Sequence, residues 1–175
     1  TYAPKSGIMS SSIGFTSAIE FPTISDVECC ALGILEIFVD YKNSEDNPFA
    51  APNGSTYKLA MFTNSATLGK STTGYSTSNE VSSPSGYSAG GKAIVNVGTS
   101  LATNTAITDF ADLSFVGVTL TARGALIYNT TMGGGSNTTD AVAVLDFGGD
   151  KTATSGTFTI QFPAFTTSAA ILRIA

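Results

Sequence analysis

The feature that most restricts this chain is the repeated return of short β-type segments between glycine- and hydroxyl-rich turns. Runs of this kind occupy Tyr57–Thr63, Lys92–Leu101, Ala106–Phe110, Phe115–Tyr128, Ala141–Phe147, Thr157–Phe162 and Ala170–Ile174. In Thr157–Phe162 the alternation is strict. Phe158, Ile160 and Phe162 fall on one face, and Thr157, Thr159 and Gln161 on the other. A period of two with one apolar face describes a half-buried antiparallel strand whose second face is wet or meets a partner. Helices do not alternate regularly with these runs, as a parallel α/β fold requires. The expected fold is therefore mainly β: an antiparallel β-sandwich or partly open barrel, with at most one short helix and an extended N-terminal arm.

The arm is Thr1–Ser25, and residues 26–175 form a single β domain, within the size of one domain for a chain of 175 residues. The stretch from Asp26 to Asp40 reads two ways. Ser25 with Glu28 matches a capping box, and Val27, Cys30, Ile34, Ile37 and Phe38 fall near helical spacing. Ile34–Val39 is equally a good strand, and Gly33 weakens a helix by about 1 kcal/mol. Tyr41–Ser55, with its Asn, Asp, Pro and Gly residues, reads as a loop. Thr103-Asn104-Thr105 suits a hairpin turn, Met132–Asn137 a glycine-rich turn, and Gly117 or Gly124 a bend in the strand that contains them.

Composition narrows the chemistry. The chain has no His and no Trp, and only 12% of its residues are charged. Ser and Thr together number 46 of the 175 residues. Without His there is no Ser–His–Asp triad, no Cys–His pair and no HExxH zinc site. Eight basic residues against thirteen acidic ones make no footprint for nucleic acid. No run of 18 or more apolar residues exists, so no membrane span is expected. Cys29 and Cys30 are adjacent, too close for an ordinary disulfide to each other, and read as small apolar residues in a reduced environment, with an intermolecular bridge the less favoured alternative. Thr1–Ser12 carries no basic region followed by an apolar stretch, so no secretory signal is read there. A first residue of Thr fits removal of an initiator Met or cleavage of a precursor. Asn53, Asn129 and Asn137 match the N-x-S/T pattern, as expected by chance in so hydroxyl-rich a chain.

Several strings resemble sites and are outweighed by their context. Gly86-Tyr87-Ser88-Ala89-Gly90-Gly91-Lys92 fits G-x4-G-K, but Ala93 replaces the Mg²⁺-binding hydroxyl and a strand follows where a helix is needed. Asp146-Phe147-Gly148-Gly149-Asp150 contains the kinase Asp-Phe-Gly triplet without its partners. It reads as a turn whose carboxylates cap backbone N–H groups, with Ca²⁺ binding the less favoured alternative. Arg123 stands in the apolar run Val118–Tyr128 and needs a partner: Asp146 or Asp150, or a neighbouring subunit. No carboxylate pair stands out on an aromatic sugar platform. No catalytic, cofactor-binding or metal-ligating residue is nominated, and neither an enzyme nor a cofactor is expected.

The ordered series Glu80-Val81-Ser82, Gly86–Lys92, Thr121–Tyr128, Asp146–Asp150, Gly156–Ile160 and Ile171–Ile174, with Tyr57–Thr63 before it, resembles a family of small structural proteins of tailed bacteriophages. The likeness covers roughly Tyr57 to Ala175. It departs at the front: the arm and the Tyr41–Ser55 insertion stand where the family tends to begin with a short amphipathic helix. The resemblance implies a virion component, made in the cytoplasm of the host bacterium. With the low charge and the arm, the favoured reading is a decoration (cement) protein bound to the outer surface of the major capsid protein shell, self-associating, for example as a homotrimer. The other reading is a tail, adaptor or host-attachment protein that binds another virion subunit or a surface glycan. Both readings exclude nucleic acid and membrane as partners.

Overall fold

The computed structural model describes residues 27–29, 55–82, 86–102, 104–131 and 139–174. The arm, residues 30–54 and the Met132–Asn137 turn lie outside the described residues. Among the described residues there are eight strands: β1 (Val27–Cys29), β2 (Tyr57–Phe62), β3 (Lys92–Ile94), β4 (Asn96–Ala102), β5 (Thr105–Phe110), β6 (Leu113–Asn129), β7 (Ala141–Ile160) and β8 (Leu172–Ile174). They build two sheets, ordered β1-β7-β6-β2-β3 and β4-β5-β8, and every pairing is antiparallel. No helix occurs among the described residues. Glu28 lies in β1, so no helix starts at the Ser25–Glu28 box.

One core joins the sheets. Tyr57, Leu59 and Met61 of β2, with Ala125 and Ile127 of β6 and Leu145 and Phe147 of β7, meet Phe110 of β5 and Leu172 of β8. The opposite face of the larger sheet is also apolar in its central part. Ala60, Phe62, Leu126, Tyr128, Ala141 and Val144 form a second cluster, and Ala66, Leu68 and Tyr75 from the loop after β2 pack on it. Burial on both faces explains why Leu59-Ala60-Met61-Phe62 is an unbroken apolar run rather than an alternating one. Each large side chain so buried contributes about 1.5–3 kcal/mol.

The structure revises two boundaries. Lys92–Leu101, read as one strand, is two strands in different sheets. The chain leaves the large sheet after Ile94 and enters the small one at Asn96, with Val95 exposed between them. Asn96 fixes the entry: its Oδ1 accepts the Gly98 N–H at 2.7 Å, and its Nδ2 donates to Thr108 Oγ1 at 2.9 Å. Gly98 adopts a φ of 106°, open to glycine at little cost.

The second revision runs the other way. Ala141–Phe147 and Thr157–Phe162, read as separate strands with a turn at Asp146–Asp150, are parts of the single 20-residue β7, which ends at Ile160. Ala122 pairs with Lys151 and Gly124 with Asp146, so Arg123 alone stands opposite Phe147, Gly148, Gly149 and Asp150. The glycines make an outsized bulge inside a strand, with Gly148 at a φ of 69°. Further register shifts lie between Phe115 and Val118, around Gly117, and between Val118 and Leu120, near Ser155. The wet face expected on Thr157–Gln161 is also narrower than its pattern implies. Thr159 is buried and its hydroxyl bonds Ser114 Oγ at 2.8 Å. Exposed hydroxyls sit instead at Thr119, Thr121, Thr152 and Thr154.

Candidate functional site

Where β2 ends, the outer face of the large sheet carries an open recess of about 360 Å³. Its apolar wall is Phe62, Ala66, Leu68, Val144 and Leu145, and its polar rim is Thr63, Asn64, Arg123 and Asp146. The β7 bulge builds the rim. It turns Phe147 into the core, where the ring packs 6.1 Å from that of Phe158, and leaves Asp146 and Asp150 outside. Arg123 donates to Asp146 through Nη1, and Nη2 lies 3.4 Å from Oδ2. Asp146 Oδ1 also accepts the Gly148 N–H at 2.8 Å. Asn64 Nδ2 donates to Asp150 Oδ2 at 3.1 Å. The rim is a set of mutually satisfied polar groups, and the half-exposed ion pair is worth at most about 1 kcal/mol.

Beside the recess, a carboxylate fastens the long connection between β2 and β3. Glu80 accepts the Tyr75 hydroxyl and the Tyr87 hydroxyl at 2.6 Å each, and the Gly90 N–H at 2.8 Å. The Tyr87 oxygen in turn accepts the Met61 N–H at 2.9 Å, and the Tyr128 hydroxyl donates to the Gly90 carbonyl at 2.7 Å. Tyr75 stacks on Tyr128 with ring centres 4.5 Å apart. Burial and the hydrogen bond to Glu80 hold the Tyr75 and Tyr87 hydroxyls far above the ordinary phenol range, and burial raises Tyr128. All three phenols therefore stay protonated donors at any ordinary pH. Nothing in the spacing of Tyr75, Glu80, Tyr87 and Tyr128 announces this convergence; the ordered motif series held Glu80, Tyr87 and Tyr128 without a role for them.

The strings singled out in the sequence now have positions. In Gly86–Lys92 the two outer glycines fit where no side chain could. A Cβ on Gly91 would overlap the Leu59 carbonyl, and one on Gly86 would stand 2.5 Å from the Val116 carbonyl oxygen. Lys92 opens β3, donates to the Ser114 carbonyl at 2.8 Å and lies 5.9 Å from the centre of the Phe115 ring. This is a turn into an edge strand, without the helix N-terminus a phosphate cradle needs. Arg123 takes Asp146 from the two carboxylates proposed for it. Asp146 does cap a backbone N–H as read, but in a bulge rather than a terminal turn. Among the described residues no three His, Cys, Asp or Glu side chains converge as metal ligands. Asn129 is 5% exposed, its Oδ1 accepting the Thr131 N–H, so that sequon is closed to a modifying enzyme in the folded chain. Among the described residues no helix is long and apolar enough to cross a membrane.

Comparison of the chain with protein-family models, curated proteins and solved structures finds no significant match.

Proposed function

We propose that this chain is a structural component of a tailed-phage virion, a decoration protein that sits on the outer surface of the major capsid protein shell and ties adjacent capsomers together. The observation that carries the reading is the ordered motif series. Its members resemble those of a phage structural family, and in this fold they are tying residues: Glu80 with Tyr87 and Gly90, Gly91 against Leu59, Arg123 with Asp146. A hydroxyl-rich, low-charge exterior at Thr119, Thr121, Thr152 and Thr154 supports it, because such a surface meets another protein without stranding buried charges. Many weak, repeated contacts of this kind add up on a symmetric shell. Self-association as a small symmetric oligomer, such as a trimer, belongs to the same proposal, and the arm Thr1–Ser25 is its clamp.

Two measurements test it. Quantifying the chain in purified particles is expected to give a copy number comparable to that of the major capsid protein. A few copies per particle would move the chain to the tail, as an adaptor or host-attachment protein. Deleting Thr1–Ser25 is expected to weaken binding to undecorated shells by at least tenfold; unchanged binding would remove the clamp from the proposal.

A further inference from the structure

Asp109 is the one charged residue buried in the described part of the chain, 1% exposed in the middle strand of the small sheet. Its Oδ1 accepts the Phe110 N–H at 2.8 Å, and its Oδ2 reaches the Ile171 N–H at 3.4 Å. Ile171 is the residue before β8, the three-residue strand that pairs Leu172, Arg173 and Ile174 with Thr108, Ile107 and Ala106. The carboxylate thus bridges β5 to the entry of the C-terminal strand.

Among the described residues, its surroundings supply no counter-charge. β5 holds no other ionisable residue, and neither do β4 and the stretch from Pro163 to Ile171. The one ionisable group on β8, Arg173, donates to the Thr167 and Ser168 carbonyls at 3.2 and 2.8 Å. At the head of the following strand stands Asp112, a second carboxylate, which accepts the Phe162 N–H at 2.8 Å. Among the described residues, then, Asp109 faces amides and a like charge, and no cation. Two amide bonds do not replace the hydration of a buried carboxylate. Burial dominates, Asp112 adds to it, the Phe110 and Ile171 amides oppose it, and the carboxyl is pushed up to about 6.

We propose that Asp109 is a pH-sensitive pin for the C-terminal strand: protonated, it lets Ile171–Ile174 seat firmly on β5, and ionised, it loosens that seat. Release of the strand exposes Asp109 to water, where its acidity returns to that of an ordinary aspartate. Closed and open forms then differ in proton affinity, and ionisation favours the open one. The firm state is complete below the ordinary aspartate range, is lost as pH rises through about 6, and levels off above that. The device is independent of the virion proposal.

Hydrogen exchange of the Ile171–Ile174 amides, corrected for intrinsic rates and followed from pH 4 to pH 7.5, tests it on the full chain. The opening constant is expected to rise by roughly tenfold to a hundredfold across the range, levelling off above about pH 6 to 7. In Asp109→Asn the rise is expected to vanish. A pH-independent opening constant in the wild type overturns the proposal, and so does an undiminished rise in Asp109→Asn. Should that variant fail to fold, Asp112→Asn serves. Removing the neighbouring charge is expected to move the midpoint to lower pH, and an unmoved midpoint overturns the assignment to Asp109.

Discussion

Gly91 and Tyr87 show how much this fold asks of single residues. Gly91 has a φ of 70° and lies directly on the Leu59 carbonyl, so a side chain there meets both backbone strain and overlap. Gly91→Ala is expected to cost more than about 2 kcal/mol, read as a lowered midpoint in chemical denaturation. Tyr87 is buried and gives its hydroxyl to Glu80 while taking the Met61 N–H. Tyr87→Phe leaves that buried N–H without its partner and is expected to cost about 1–3 kcal/mol in the same measurement. Tyr75 is half-buried and donates only to Glu80 among these groups; Tyr75→Phe is expected to cost less. Equal losses in the two variants would show that the amide on Met61 is satisfied in another way. From the sequence alone Tyr87 was one residue in a glycine-rich string. Its role depends on Glu80, seven positions away, and on Met61, 26 positions away, and no local pattern brings the three together.

At the scale of the element, β7 carries the clearest lesson. Two glycines between aspartates read as a chain reversal because that is where such residues usually occur. Here the flanking residues of both halves pair with one long partner, β6, so the glycines are absorbed as a bulge and the strand continues. The bulge delivers Phe147 to the core and the aspartates to the surface, and the two outcomes differ in energy. Phe147→Ala is expected to destabilise the chain by about 3–5 kcal/mol, through a cavity at a fully buried ring. Arg123→Ala, which removes only a half-exposed ion pair, is expected to cost at most about 1 kcal/mol, and less still in high salt. Thermal unfolding of both variants checks the order. If Arg123→Ala were the more damaging, the ion pair rather than the aromatic core would hold the bulge. The split of Lys92–Leu101 into β3 and β4 makes the complementary point. Alternation identifies extended chain, but the sheet a strand joins depends on which neighbour its backbone meets.

At the scale of the molecule, the two apolar faces of the large sheet supply the core, and Asp109 is the single buried carboxylate among the described residues. Asp109 gives that stability a pH dependence with a definite sign. A carboxyl held at about 6 in the folded chain and near its ordinary value in the unfolded chain binds more protons when folded. Its contribution is greatest below pH 4, falls as pH rises through about 6, and levels off above that. Comparing wild type with Asp109→Asn cancels the other titrating groups. The stability of the variant relative to wild type is expected to improve by up to about 3 kcal/mol between pH 4 and pH 7. Denaturation midpoints across that range check it. A relative stability that stays level would place the ionised carboxylate in a better-solvated site than its burial indicates.

The amino-acid sequence by itself determined that this is a β protein of low charge without His-based catalysis. Period-two alternation, glycine-marked turns and residue counts are local properties, and they survive whatever the chain's long-range contacts are. Strand existence was legible for the same reason at Tyr57–Thr63 and Ala106–Phe110, each within one residue of β2 and β5, and the need of Arg123 for a partner followed from its apolar setting. Tertiary structure alone decided which strands share a sheet and that Asp146–Asp150 bulges instead of turning. It also closed Glu80 on Tyr75 and Tyr87, and placed Asp109 opposite Ile171 with no cation beside it among the described residues. Each of these joins groups through side-chain geometry or pairing register, and a linear pattern carries neither.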